Sequence, residues 1–333
     1  MIRLLLCAAA FASLSVSVTT QTARFTPVGS IAVRGDMIRI NAGRAYLAAG
    51  NTLSIVDISN AAAPKVSGSY DVPDRIWGFS VAGSRAYMAC DLHGVEILNV
   101  SNPAKVTPAG YYKTKGQAHS VDIFGKTALV ADHMLGVAYL DISNETKPVL
   151  LGSVFVEGYP RYVALFGSLL YAVDSPAGFY VVDPAAAEPL DPLGAVQTPD
   201  AGFGRIIAIG VSDQSDTADP KIAVVSGGRV LQIYDVSKPA APVLLSTLAT
   251  PGRGPRMTMK GRTVYVADNA EGIQVVDLST PTKPRIVGSY KTAKPAIDVA
   301  VVDSLLYVAT GRSFNEMTRR FEGDELLILR HTP

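Results

Sequence analysis

Four histidines and one tryptophan stand among the 333 residues. Three of the histidines, His93, His119 and His133, cluster in sequence, with Trp77 before them and Asp91 and Asp132 beside them. Imidazole and carboxylate groups transfer protons and bind metals, so chemistry is sought here first. The spacing fits no zinc pattern such as His-x-x-x-His, and no metal site is assigned. His93 and His133 read instead as equivalent positions in solvated turns, which leaves His119 as the one candidate acid/base. Arginines at Arg161, Arg205, Arg253, Arg256, Arg319 and Arg320 supply planar forks suited to carboxylate or phosphate. No Gly-x-Ser-x-Gly, phosphate loop or Cys–His arrangement occurs, and no cofactor is expected.

Two segments interrupt an otherwise regular chain. Asp213, Ser215, Thr217 and Asp219 place oxygen side chains at alternate positions, like the start of a calcium loop. Such a loop wants Gly at its sixth position and Glu at its twelfth, where Val224 stands, so this segment reads as a solvated acidic loop. Residues 311–324 read as a long loop carrying Arg312, Phe314, Arg319, Arg320 and Phe321; loops of this length in compact repeats often bind or cover ligands.

The regularity itself is a repeat. Ile-Val-Asp-Ile-Ser at residues 55–59 returns as Ile-Leu-Asn-Val-Ser at 97–101 and Tyr-Leu-Asp-Ile-Ser at 139–143. It recurs as Val-Val-Asp-Pro at 181–184, Ile-Tyr-Asp-Val-Ser at 233–237 and Val-Val-Asp-Leu-Ser at 275–279. Its third position is Asp57, Asn99, Asp141, Asp183, Asp235 and Asp277, in steps of 42, 42, 42, 52 and 42 residues. Within one period, 119–124, 127–132, 137–142 and 149–156 read as strands separated by Gly, Pro, Asn and Asp. Four antiparallel strands per period make a propeller blade. The recurring Asp should close an Asx turn and belong to the scaffold.

First strands starting near Asp36, Trp77, His119, Arg161, Arg205, Arg256 and Ile297 count seven blades. The last lacks its outer strand, with a third strand read at 325–330. Phe-Thr-Pro-Val-Gly-Ser-Ile at 25–31 matches the outer strands of other blades and should complete it, removing two exposed edges. The expectation is an all-β, seven-bladed propeller of four-stranded antiparallel blades, closed by the N-terminal strand in the last blade.

In that fold the loops from fourth to first strands and from second to third strands share the face at the mouth of the channel. This gathers Asp74, Arg75, Trp77, Gln117, His119, Tyr159, Arg161, Phe203, Arg205, Arg253 and Arg256 with Asp91, His93, Asp132, His133, Asp174, Asp268 and Asn269. Along the first strands one column is apolar (Phe79, Val121, Val163, Met257 and Val299) and should pack between blades. The other runs through Arg39, Ser80, Asp122, Tyr162, Arg205, Arg256 and Asp298 and should lean into the channel, where Arg and Asp could satisfy one another.

Gly followed shortly by Ala-Tyr (Gly43 to Tyr46, Gly83 to Tyr87), Gly-x-x-Val-Val-Asp (272–277) and Asn- or Lys-containing turns ending in Pro resemble the LVIVD-repeat family of exported bacterial and archaeal β-propellers. The resemblance spans about residues 25–330. It implies a fold and an exported location, and carries no chemistry.

Composition agrees with an ordinary globular β protein: 48% hydrophobic, 18% charged, 29 glycines and 21 prolines. A net charge of +1 and the lack of a basic stripe speak against nucleic acid. One positive charge, a short apolar run and small residues make residues 1–20 a secretory signal, with cleavage between 17 and 23 and the propeller domain at 21–333. The apolar run is too short to span a membrane. Cys7 leaves with the signal, so Cys90 has no partner and reads as inert core. A monomer that is periplasmic, secreted or associated with the cell surface is expected. The function read from these residues is a ligand-binding or protein-interaction module. Its face is the channel mouth (Trp77, His119, Arg161, Tyr162, Arg205, Arg256, Arg319 and Arg320), and its partner a small anionic or aromatic ligand, a peptide or a protein. The alternative is a lyase or hydrolase acting on a small anionic substrate, with His119 as acid/base and Arg161, Arg205 and Arg256 as charge clamps.

Overall fold

The computed structural model describes residues 24–332 apart from 134–135, 157, 175–177, 187–190, 198–205, 212–220, 228, 255 and 316–319. The signal expected at 1–20, the acidic loop expected at 213–219, Phe203, Arg205 and Arg319 lie outside the described residues, and the side chains of Asp174, Phe314, Arg320 and Phe321 are likewise not described.

Seven four-stranded antiparallel sheets follow one another: residues 37–71, 78–112, 120–154, 160–197, 206–249, 256–290, and a last sheet of 296–332 with 24–32. In that last sheet the N-terminal strand Arg24–Ala32 pairs antiparallel with Arg320–Thr332, from Arg24 opposite Thr332 to Ala32 opposite Glu325. The seven-bladed propeller closed by its N-terminal strand is therefore the observed fold.

Each blade exposes two apolar faces, and each is buried only against the next blade. Seven buried clusters result, one at every junction. Phe79, Val121, Val163, Met257 and Val299 of the first strands are buried in them, as their alternation requires. The closing strand serves two junctions at once: Phe25 packs into the junction of blades six and seven, Val28 and Ile31 into that of seven and one.

Outer strands press on the following blade through a glycine. An ideal Cβ on Gly110 would lie 1.6 Å from the Glu145 carbonyl oxygen, and one on Gly29 would lie 2.3 Å from that of Ala61. No side chain fits there, so the glycine is set by blade-to-blade approach. In blade five Ser246 stands at the corresponding place, and its hydroxyl donates to the Pro281 carbonyl. The repeat Asp and Asn residues close Asx turns throughout. Asp57, Asn99, Asp141, Asp183, Asp235 and Asp277 each accept, through Oδ1, the backbone N–H two residues on, at 2.8–3.1 Å. The N–H and hydroxyl of Ser59 hold the Asp57 carboxyl below its usual pKa range.

Two expectations are corrected. Residues 311–324 do not form a simple loop: strands Leu305–Asn315 and Arg320–Thr332 continue past the sheet as a paired ribbon, with Gly311 opposite Gly323 and Arg312 opposite Glu322. The third strand of blade seven therefore starts at Arg320 rather than 325. His93 and His133 are not equivalent either. Cys90 and Asp132 occupy the same place at the end of the second strand, so His133 corresponds to Asp91, and both have positive φ, 40° and 43°.

Removing residues 24–33 should leave blade seven with an open edge and strip apolar packing from two junctions. The expected result is loss of cooperative unfolding or a fall in melting temperature above 10 °C, since a few kcal/mol is a large part of about 5–15 kcal/mol of stability. An unchanged melt would refute closure. Gly110→Val should cost about 2–4 kcal/mol in urea unfolding, because the Glu145 backbone must move to admit the side chain.

Candidate functional site

At the mouth, five planar side chains stack in series. The Arg75 guanidinium lies 3.7 Å from the centre of the Trp77 ring. Trp77 stacks on His119 at 5.0 Å and 12°, and His119 meets His133 at 4.8 Å and 36°. His133 in turn stacks on Tyr159 at 5.0 Å and 19°. The members come from the connections that open blades two, three and four and from the turn of blade three. His119 at the centre is buried, Arg75, Trp77 and His133 are half-buried, and Tyr159 is 47% exposed at the end. An open depression lined by Gly50, Asn51, Pro73, Asp74 and Arg75 adjoins the other end. The Trp77 indole N–H is buried and meets no acceptor among the described residues.

Electrostatics fix the state of the central ring. Burial first, then the neighbouring His133 and Arg161, lower the His119 pKa to about 4, so at neutral pH the imidazole is uncharged. Asp91 opposes this weakly and is itself held by the Gln117 amide, whose Nε2 donates to Asp91 Oδ1 at 2.8 Å.

Other mouth residues are tied into the scaffold. Asp132 accepts the Gly116 N–H at 3.0 Å, and Asp268 accepts the Gly252 N–H at 2.8 Å, each fastening an incoming loop to a turn. Burial raises both carboxyls, Asp268 to about 6. His93 turns away from the ladder: its Nε2 lies 2.9 Å from Glu96, and its ring lies against Tyr111. Asn269 pairs with Ala296 of the next blade through its backbone. Arg253 is exposed. Cys90 is buried, with its thiol pKa pushed up by burial, and points at the Met88 carbonyl. Among the described residues no three His, Cys, Asp or Glu side chains converge to hold a metal ion.

Below the mouth the inner strands carry a polar girdle. Asp298 of blade seven accepts the Ile38 N–H of blade one through Oδ2 at 3.0 Å and the Val299 N–H through Oδ1 at 2.9 Å. Arg39 and Arg256, from the blades on either side, approach the same Oδ2 at 3.7 and 3.9 Å. Asp122 of blade three accepts the Ser80 hydroxyl at 3.1 Å and the Leu165 N–H at 2.9 Å. Tyr162 faces this girdle, with its hydroxyl in the field of Arg39, Asp122, Arg256 and Asp298. Sequence spacing did not reveal the stacked ladder, whose partners lie on different loops. Arg75 and Tyr159 were gathered at the mouth, but no signal marked them as its ends.

Comparison with known proteins identifies the repeat and the fold. The LVIVD repeat model matches residues 29–72, 76–114, 115–156 and 252–292, which fall in blades one, two, three and six. Blades four and five, and blade seven apart from residues 29–32 of its closing strand, keep the same four-stranded sheet outside those matches. No curated protein matches the sequence. The β-propeller domain of Cps50 (Swd1) from Myceliophteria thermophila superposes with a TM-score of 0.72 at 12% identity, covering 93% of this chain and 100% of that one. The computationally designed Ika8 protein gives 0.62 at 8% identity over 85% and 83%, and BamB from Moraxella catarrhalis 0.57 at 12% over 92% and 98%. Likeness at such identities shows the fold alone. No helix among the described residues is long and apolar enough to cross a membrane. Four repeat matches on a seven-bladed ring place the chain in the LVIVD-repeat family.

Proposed function

We propose that this protein is an exported ligand-binding or interaction module, periplasmic, secreted or cell-surface, whose binding face is the channel mouth. The carrying observation is the stacked series Arg75–Trp77–His119–His133–Tyr159, which ends in an exposed aromatic ring and borders an open depression. Such a row presents flat apolar faces with cationic and hydrogen-bonding edges, the chemistry that takes aromatic or anionic groups of a small ligand or a peptide. The leader pattern of residues 1–20 supports export.

The same geometry favours binding over the lyase or hydrolase reading. An acid/base group works best with a pKa near the working pH. His119, at about 4, is at pH 7 a neutral imidazole too weakly basic to take up a proton readily and lacks the imidazolium form that acts as an acid, and both of its ring faces are covered by Trp77 and His133.

Two measurements test this. Trp77 is the only tryptophan, so a ligand found by thermal shift among aromatic acids, organic acids and peptides should change its emission. Tyr159→Ala should then weaken binding by about tenfold, or about 1.4 kcal/mol, in the range of one aromatic contact. A stabilising ligand that leaves Trp77 emission unchanged and ignores Tyr159→Ala sinks the assignment.

The second concerns pH. The folded protein disfavours the His119 cation, so between pH 6.5 and about 4 the unfolded chain binds the extra proton. The stability this group contributes is complete above pH 6.5 and drains away as pH falls toward 4. From pH 7 to pH 4.5 the loss due to His119 should be about 2–3 kcal/mol. Asp268, raised by burial, acts with the opposite sign over an overlapping range. Comparing wild type with His119→Phe in urea unfolding at both pH values isolates the histidine: the variant should lose less by that amount. Equal losses would show that His119 is not held neutral.

A further inference from the structure

The girdle inside the channel contains two arginines whose hydrogen-bonding capacity is largely unspent. Asp298 is the carboxylate nearest to both, yet each of its oxygens already accepts a backbone N–H, from Ile38 and Val299. The guanidinium groups of Arg39 and Arg256 stand off the same Oδ2 at 3.7 and 3.9 Å, beyond a normal hydrogen bond. Arg39 donates through Nη1 to the Ile38 carbonyl at 2.8 Å and lies over the Phe79 ring, which fixes its plane. Arg256 makes no hydrogen bond among the described residues. Both side chains are only partly covered, at 32% and 22% exposure, whereas Asp298 is 4% exposed.

These groups come from blades one, six and seven, and Tyr162 of blade four lies within their electrostatic field. First strands of such separated blades meet only on the axis of the ring. The second carboxylate there, Asp122, has its oxygens engaged by the Ser80 hydroxyl and by the N–H groups of Ile123 and Leu165. Both carboxylates thus have structural partners, while the guanidinium forks keep free donors.

We infer that Arg39 and Arg256, with the Tyr162 hydroxyl, form an oxyanion site in the channel that takes the carboxylate or phosphate group of a small ligand entering at the mouth. The inference rests on the mouth being the binding face and adds the ligand's chemistry. Arg161 and Tyr162 are adjacent in strand Pro160–Phe166; the charge of Arg161 acts on His119, and Tyr162 faces the girdle. The ladder would hold the flat part of the ligand and the channel its anionic end. An oxyanion between the two forks gains charge-assisted, bidentate hydrogen bonds that Asp298 does not provide.

The test titrates the mature protein with inorganic phosphate and, separately, with succinate, against chloride at matched ionic strength, by calorimetry and thermal shift. Saturable binding of at least one is expected. Preference for phosphate would mark a phosphate-bearing ligand, and preference for succinate a carboxylate. Arg256→Gln and Arg39→Gln should each weaken binding about tenfold or more, and Lys105→Gln, an exposed cation on the connection between the third and fourth strands of blade two, should leave it unchanged. Both arginine variants keep the backbone bonds of Asp298, so the fold is preserved. Asp298→Asn, where it folds, should tighten binding by removing a competing negative charge. A merely structural residue would not give that opposite sign. Failure of both anions to saturate, or equal binding by wild type and Arg256→Gln, overturns the inference. Tyr159→Ala separates the two readings: phosphate binding that survives it stands on the channel alone, and an aromatic ligand that binds while phosphate does not leaves only the mouth reading in place.

Discussion

A four-stranded blade is apolar on both faces, and neither face can be covered from within the blade. Every junction of this ring therefore has to be a core, and the seven buried clusters show that it is. The constraint reaches into local sequence. Junctions must close at backbone distance, so the outer strands carry glycine against the next blade's carbonyls, as at Gly29 and Gly110. The ring must also have no free end, so Arg24–Ala32, immediately before blade one in the chain, pairs with Arg320–Thr332 of blade seven. Nearest-neighbour packing of this kind leaves the inner strands and the mouth loops outside the cores, and there the sequence is released from the repeat.

What fills that released space follows from electrostatics. Inner strands crowd charged groups from several blades around one axis, and each carboxylate is stabilised by backbone N–H groups of the next blade: Asp298 by Ile38, Asp122 by Leu165. At the mouth burial is the main cost of charging the His119 imidazole, and His133, Arg161 and Arg75 add repulsion. The neutral form wins. The rings of Trp77 and His133 that lie against His119 are part of the surroundings that bury it, so the stacking and the low pKa belong to one packing arrangement.

The architecture was legible because it is written locally. The Asx turns, the 42-residue step and the apolar alternation of the first strands each involve residues close in sequence, and all appear in the structure. Sequence failed where geometry depends on partners in other blades. The Arg39–Asp298 approach joins residues on either side of the ring closure, and spacing says nothing of its 3.7 Å. His93 and His133 looked alike because both follow an Asp near the end of a second strand, yet one turn begins at Cys90 and the other at Asp132. The segment at 311–324 looked like a loop because Gly, Asn and charges fill it. Continuing two paired strands past the sheet satisfies its backbone more fully than a loop would.

The mouth and the scaffold are not separate devices. Asp132 and Asp268 hold the loops that lead into blades three and seven's neighbour by accepting Gly116 and Gly252 N–H groups, and the Asp132 turn also presents His133 to the ladder. Asp91 pairs through its backbone with Ala118, the residue before His119. The rungs His119 and His133 are therefore carried by backbone that is also fastened to the connection between blades two and three. A ligand seated on these rings would meet a surface already ordered by packing, and would lose little free energy in ordering it further. The cores that close the ring thereby also hold the side chains of the mouth in register.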